Sequence, residues 1–535
     1  MSGHSASERY CVIGAGPSGL AALRNFLARG IPVVGFERED DVGGNWYYGK
    51  SSSSVCRSTH LISSKRMTEF PGFPMPKDYP PYPSHSQAFD YLRGFAERFR
   101  LYDHLCLRTA VTRVEPAPGG GWLVTTSDGS APRRFRGVVV ANGHHWDPVW
   151  PAWRGEFSGA LMHAKDFKSP ECLAGRRVLV VGGGNSGCDI AVEAAVHAAS
   201  ATLSLRRGYH FLPKFLLGTP IDTGGDWLRR HGVPLWLIRC WTQILVRIAV
   251  GRPERYGLPR PEHQLFETHP IVNSQLLYQV GHGRVQVRPA IDELRGDRVR
   301  FVDGTEEPFD MILCATGYRV RFPFIAPEVL AGSARATPTA PNPSPARGNR
   351  SSMAGGHVGH ECEERNAAVE YGATAGERHN GGPGERFEQE VPDLYLHAFH
   401  PTYDDFFVAG MIQPNSGLWP LADDQTRLMA AFVAALAVDS PASRWFRQLK
   451  AGGNPDLSGG LRFDRSPRHR LEVEYYSYRR RLRKLLARFD REQPPQAVRE
   501  PATAPASVPD RFAEWVAQPV SRETGGRSLF PGQQP

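Results

Sequence analysis

Two glycine-rich stretches carry the residues whose types and spacing can do chemistry. The first reads Tyr10-Cys-Val-Ile-Gly14-Ala-Gly16-Pro-Ser-Gly19, a short apolar strand running into GxGxxG, followed by the helix-period run Leu20-Ala-Ala-Leu23. Val33-Val34-Gly-Phe36-Glu37 then reads as a second strand that ends in an acid. In such a βαβ unit the first glycine permits a tight turn and the second lets backbone approach a pyrophosphate. The third lets helix pack on strand, and the acid accepts from a ribose hydroxyl. Phosphate charge is met by the free N–H groups of the helix N-terminus. Gly14, Gly16, Gly19 and Glu37 are thus candidate dinucleotide-binding residues.

A second copy follows. Arg177-Val-Leu-Val-Val181 leads into Gly182-Gly-Gly184-Asn185-Ser186-Gly187, an alanine-rich helix and the strand Ala201-Thr-Leu-Ser-Leu205, which ends in Arg206-Arg207. A guanidinium clamps the oxygens of a 2′-phosphate where a carboxylate would repel them. The two sites are therefore expected to differ, the first made for a free ribose as in FAD and the second for NADPH. Gly182, Gly184, Asn185, Ser186, Gly187, Arg206 and Arg207 form the second candidate set.

The elements that position these sites follow from two further buried strands with small residues after them. Gly137-Val-Val-Val-Ala-Asn142-Gly143 precedes the second motif, and Phe309-Asp-Met-Ile-Leu-Cys-Ala315-Thr316-Gly317-Tyr318 follows the rest of its unit. Both read as crossings between domains. The expected fold class is α/β, with two Rossmann-like dinucleotide-binding domains and the NADPH domain inserted in the FAD domain. The expected order is 1–170 for the first part of the FAD-binding domain, 171–314 for the NADPH-binding domain and 315–330 for the return to FAD. A glycine- and proline-rich stretch poor in large apolar residues, 331–390, reads as a disordered insertion. Residues 391–450 read as the last part of the FAD-binding domain, and 451–535 as a C-terminal charged helix and disordered tail.

Composition bounds the rest. The 535 residues are 41% hydrophobic and 22% charged, as in a soluble multi-domain protein. Lys and Arg total 64 against 55 acids, a formal charge of +9. That bias suits a phosphorylated cofactor, and no basic run interleaved with aromatics points to nucleic acid. Eight cysteines lie scattered without a CxxC pair, which argues for a reducing compartment and against a dithiol mechanism or structural zinc. His357, His360 and Cys362 lack a matching second ligand pair, so no metal is expected. Met1 to Arg9 is polar and reads as no signal peptide, giving a cytoplasmic expectation. Val233 to Val250 is greasy but broken by Arg239 and Arg247, short of the ~20 apolar residues of a membrane span. It reads as a core helix or an amphipathic surface helix, with the arginines on a solvated face favoured over membrane-surface contact. The run Arg479-Arg480-Arg481-Leu-Arg483-Lys484 likewise reads as a solvated helix face.

Between the two units stands Phe157-Ser-Gly159-Ala-Leu-Met-His163-Ala-Lys-Asp-Phe167. Here the chain resembles the flavin-containing monooxygenases, class B flavoproteins whose signature FxGxxxHxxx(Y/F) precedes the second GxGxxG. Gly43-Gly44-Asn45-Trp46 is similar to the family's GGxW turn and Ala315-Thr316-Gly317-Tyr318 to its ATGY turn. The likeness covers roughly 8–325 and 391–450. It implies FAD and NADPH as cofactors, and it adds Gly44, Asn45, Trp46, His163, Thr316 and Gly317 to the cofactor-binding set. It implies an N,N-dimethylaniline monooxygenase-like reaction with dioxygen and a small nucleophilic substrate. NADPH reduces FAD, a C4a-hydroperoxyflavin forms, and an amine nitrogen or sulfide sulfur takes the oxygen. No protein acid, base or nucleophile is required, so catalytic residues stay unassigned, and His163 is expected to couple the two sites by a hydrogen bond. Baeyer–Villiger ketone oxidation ranks second, because the related signature ends in tryptophan where this chain has Phe167. An NADPH-dependent flavin reductase or oxidase ranks after it. Ile62 stands where the family often presents an asparagine to the flavin, which leaves Ser63, Ser64 or Lys65 as the expected donors there.

Overall fold

The strands Tyr10–Ile13, Gly137–Val140 and Phe406–Val408 are buried along their whole length, as parallel strands covered on both faces must be. In the computed structural model, which describes residues 8–331, 392–463 and 469–493, they belong to a five-stranded parallel sheet. Its order is Phe406–Val408, Gly137–Val140, Tyr10–Ile13, Val33–Phe36, Leu105–Cys106. A second five-stranded parallel sheet runs Ala160–His163, Met311–Cys314, Arg177–Val181, Ser200–Ser204, Val285–Arg288. All of the second sheet falls, along the chain, between the Gly137–Val140 and Phe406–Val408 strands of the first. One Rossmann-like unit is therefore inserted in the other. The expected 331–390 insertion, apart from Ala331, and the expected tail beyond 493 lie outside the described residues, as do His357, His360 and Cys362.

The two chain crossings between the sheets hold each other. Tyr318–Arg319 pairs antiparallel with Asp147–Pro148, Arg319 Nε donates to Asp147 at 3.0 Å, and Asn142 Nδ2 donates to the Arg321 carbonyl at 3.0 Å.

Helices complete the first unit's core. Pro17–Leu27 packs against Trp419–Ala437, which packs in turn against Tyr475–Glu492. Asp423, with no exposed side-chain surface, accepts from Arg24 and from Asn25 Nδ2 at 2.8 Å. Its neighbour Asp424 accepts from Arg479 Nε at 3.0 Å and Arg483 Nε at 3.2 Å. The C-terminal charged helix has the solvated face expected from the sequence and a second, buried face besides. Arg480, Arg481, Arg483 and Lys484 are exposed, yet Tyr475, Tyr478, Leu482, Leu485, Leu486 and Phe489 are buried on the opposite face. Their three- and four-residue spacing makes one apolar stripe, and the helix is part of the first unit's core.

The Leu235–Ala249 helix splits the expectation, with Arg247 exposed as expected but Arg239 not. Arg239 is turned to the protein, donating to Gln264 and Glu267, while Trp236, Trp241, Ile244 and Ile248 are 55–77% exposed. No helix among the described residues is long and apolar enough to cross a membrane.

Candidate cofactor-binding site

Each glycine loop is closed by contacts that leave no room for a side chain. Gly14 sits at φ +98°, where a Cβ would lie 2.6 Å from the Ala141 carbonyl oxygen, and a Cβ on Gly19 would lie 1.8 Å from the Gly14 oxygen. The second loop repeats this. Gly182 sits at φ +113° with its would-be Cβ 2.5 Å from the Ala315 oxygen, and that of Gly187 lies 1.9 Å from the Gly182 oxygen. Positive φ excludes ordinary side chains at Gly14 and Gly182, and close helix–strand approach excludes them at Gly19 and Gly187. Ala141 and Ala315, each the first residue after a neighbouring parallel strand, close the two cradles. Neither had been singled out as a site residue. The signal was the shared small residue at the end of both crossing strands.

The ends of the second strands differ as expected. Glu37 is 6% exposed. Its Oε2 accepts from the Ala15 amide at 2.6 Å and its Oε1 from the Glu39 amide at 3.0 Å. Burial pushes its carboxyl pKa up, with those two amides pulling against it. Each oxygen keeps lone-pair capacity for a hydroxyl donor. At the corresponding end of Ser200–Ser204, Arg206 is exposed and Arg207 is partly buried, its guanidinium 5.7 Å from the Tyr209 ring centroid. A carboxylate beside one glycine loop and cations beside the other fit FAD and NADPH respectively.

Other expected site residues divide. Gly44, at φ +54°, brings backbone against Gly16, its would-be Cβ 2.9 Å from Gly16 Cα. Asn45 spends its amide oxygen on the Ser54 amide (2.7 Å) and hydroxyl (2.8 Å), and Trp46 packs edge-on to Trp419 at 6.0 Å. Asn185 Oδ1 accepts from the Val272 amide at 2.8 Å, and Ser186 is exposed. Thr316 donates to the Val149 carbonyl at 2.5 Å, and the Gly317 carbonyl accepts from the Val149 amide at 3.0 Å. Asn45, Asn185 and Thr316 therefore shape loops through their side chains. A polar link missed from sequence joins the first cradle to the far helix. The amide of Gly410 donates to Gln425 Oε1 at 2.9 Å, Gln425 Nε2 donates to the Tyr478 hydroxyl at 2.7 Å, and that hydroxyl donates to the Leu396 carbonyl at 2.7 Å.

Of the donors expected near Ile62, Lys65 and Ser63 are engaged elsewhere. Lys65 Nζ donates to the carbonyls of Pro76 and Lys77 at 3.1 Å and of Tyr79 at 2.6 Å. Ser63 shares a 2.8 Å hydrogen bond with Thr68, whereas the Ser64 backbone amide donates to Asp222 at 2.6 Å and its buried hydroxyl has no well-formed hydrogen bond. A turn that needs its carbonyls capped takes the ammonium, while Ile62 itself is 38% exposed.

His163 ends the Ala160–His163 strand and is fully buried. Its Nδ1 accepts from the Lys165 amide at 3.1 Å, and its ring lies 5.5 Å from Trp150 and 5.3 Å from Tyr318. Nε2 has no well-formed hydrogen bond. Its ring packs against the returning crossing at Tyr318. Burial lowers the imidazole pKa from 6.5 to about 4, partly offset by Asp166 and the Gly317 backbone. The folded chain therefore binds fewer protons than the unfolded one between those values. Stability from a neutral imidazole is complete above pH 6.5 and is lost as pH falls towards 4. In His163→Asn the amide oxygen can still accept from Lys165 without titrating. Urea unfolding across pH 4–7 is expected to show a shallower loss of stability in that variant, and an unchanged slope would refute the assignment.

Comparison with known proteins places this arrangement. Residues 7–336 match the family described as flavin-binding monooxygenase-like, and the chain belongs to that family. It is similar to flavin-containing monooxygenase 5 of Rattus norvegicus, 33% identical over 347 residues covering 61% of this chain and 64% of the relative. It is also similar to the probable indole-3-pyruvate monooxygenase YUCCA9 of Arabidopsis thaliana, 32% identical over 367 residues covering 65% of this chain and 86% of the relative. The chain thus spans less than two thirds of the length of the rat enzyme. Among solved structures, S-allyl-L-cysteine S-oxygenase of Allium sativum shares the fold with TM-score 0.54 and 19% identity, over 91% of this chain and 94% of that one. Cyclohexanone monooxygenase bound to epsilon-caprolactone does so with TM-score 0.59 and 16% identity, over 90% and 98%. A flavin comes with that family, and an oxidised steroid monooxygenase of the same fold, with TM-score 0.58 and 16% identity over 90% of this chain and 98% of that one, is bound to NADP.

Proposed function

We propose that this protein is an NADPH-dependent flavoprotein monooxygenase that oxygenates a soft nucleophile, an amine nitrogen or a sulfide sulfur. The pair of glycine cradles with opposite charge at their ribose ends carries the reading. Gly14, Gly16, Gly19, Glu37 and the backbone at Gly44 hold FAD. Gly182, Gly184, Gly187, Arg206 and Arg207 hold NADPH. The flavin, when bound, supplies hydride acceptance and dioxygen activation. The protein's part is to orient the two nucleotides, with His163 and Tyr318 packed in the connector between the units, and to keep water from the reacting atoms. Of the limits 1–170, 171–314, 315–330 and 391–450, the first is drawn back before Ala160–His163, a strand of the second sheet, and the last is extended to the Tyr475–Glu492 helix; the scattered cysteines support a cytoplasmic reaction.

The charge assignment is tested by Arg206→Ala combined with Arg207→Ala. Loss of a clamp on the 2′-phosphate is expected to raise the KM for NADPH at least tenfold, on the order of 1.4 kcal/mol or more, with the KM for NADH nearly unchanged. Equal change for both nucleotides would sink it. Product analysis with a tertiary amine, a thioether and a cyclic ketone tests the substrate class. The N-oxide or S-oxide is expected, and lactone alone would establish the ketone reading instead.

A further inference from the structure

The Ile221–Arg230 helix and the Tyr475–Glu492 helix wall a cavity of about 820 Å³. Its cations are Arg229 from the first helix and Arg479, Arg480, Arg483 and Lys484 from the second, with Asp226 and Tyr476 completing the wall. The basic run that reads from sequence as a solvated face therefore lines a concave surface. Two of the five cations share one partner, since Arg479 and Arg483 both donate to Asp424. Among the described residues Arg480 and Lys484 have no acidic partner, and they stand four positions apart, where like charges on a helix repel. Arg229 is the least relieved. Glu474 Oε2 lies 3.7 Å from its Nη2, but that oxygen already accepts from the Ser477 amide at 2.7 Å. Arg229 Nε is shielded from solvent and has no hydrogen-bond partner, and a sealed donor of this kind is costly to leave unmet.

We propose that this cavity binds a phosphorylated small molecule at a site separate from both nucleotide cradles. Five cations against Asp226, Asp424 and Glu474 leave at least two positive charges uncancelled, so the ligand carries two or more negative charges. Arginine supplies most of the donors, and its planar fork meets phosphate oxygens two at a time, where lysine acts as a point charge. The volume falls within the roughly 300–1,000 Å³ of small-molecule sites. None of the lining residues belongs to a glycine loop, and neither Arg206 nor Arg207 is among them. Along the chain the Ile221–Arg230 helix lies between two strands of the second sheet, Ser200–Ser204 and Val285–Arg288, while Tyr475–Glu492 belongs to the first unit's core. An anion bound between these helices therefore ties the two units together.

The test uses the full flavin-loaded chain with saturating NADP, so that the second cradle is filled, and inorganic pyrophosphate as the probe at fixed ionic strength. Titration calorimetry is expected to show one pyrophosphate per chain, and the melting temperature is expected to rise with its concentration. Arg229→Gln is expected to weaken binding at least about tenfold. Combining Arg480→Gln and Lys484→Gln is expected to do likewise. Both of those side chains are exposed, so the pair keeps the test open if Arg229→Gln fails to fold. Absent binding to the unaltered chain, or affinity unchanged in the paired variant, would overturn the proposal. So would binding that NADP abolishes, which would put the anion in the second cradle. Succinate bound as tightly as pyrophosphate would overturn the assignment to phosphate.

Discussion

Gly19→Ala is expected to purify without flavin colour, whereas Gly187→Ala is expected to stay yellow and to bleach slowly with NADPH. In both, the added methyl meets a backbone carbonyl, 1.8 Å from the Gly14 oxygen in one and 1.9 Å from the Gly182 oxygen in the other. Backbone cannot swing aside as a long side chain does, so the helix must retreat by more than an ångström from its strand. Overpacking of this kind costs about 1–3 kcal/mol of stability. It also pulls the helix N-terminus away from the phosphates it serves. A misplacement of about 1 Å costs roughly a hundredfold in rate where two groups must meet in register. The variants separate because the cradles are built on different sheets. Flavin absorbance per protein and the rate of anaerobic bleaching by NADPH measure the two effects independently. A colourless Gly187→Ala that melts like the unaltered protein would mean that the second loop holds flavin, and the division of roles would be wrong.

Asp423→Ala is the substitution expected to damage the fold most. Its carboxylate has no exposed surface and joins Arg24 and Asn25 of the first helix to Trp419–Ala437. Removing it leaves a largely buried guanidinium without its counter-ion, and breaking a buried pair this way costs about 3–5 kcal/mol. Asp423→Asn keeps an acceptor for Asn25 and is expected to lose less. Urea unfolding ranks the two, and a cost for the alanine variant below about 1 kcal/mol would show that the pair contributes little.

Both glycine motifs were legible in the sequence because their geometry is local, a turn and a helix start that tolerate no Cβ. So was the insertion of one unit in the other, from the two small-residue crossings. What closes the loops was legible only as a small residue after each crossing strand, because Ala141 and Ala315 reach the loops from strands far along the chain. Lys65 looked free for a cofactor, but three carbonyls of the turn at 76–79 claim it. Periodicity marked Val233 to Val250 as helical without saying which face looks outward. In the Tyr475–Glu492 helix a run of arginines obscured an apolar stripe that was present at regular spacing. Side-chain direction depends on partners supplied by other elements, which local pattern does not encode.

The nesting of one sheet within the other bears on how the chain is made. Gly137–Val140 must wait for Phe406–Val408 before its open edge is covered, while every strand of the inner sheet has already left the ribosome. At roughly 5–20 residues per second this interval lasts tens of seconds. The outer unit, begun first, is completed last, and its exposed strand edge during translation is where a chaperone would be needed.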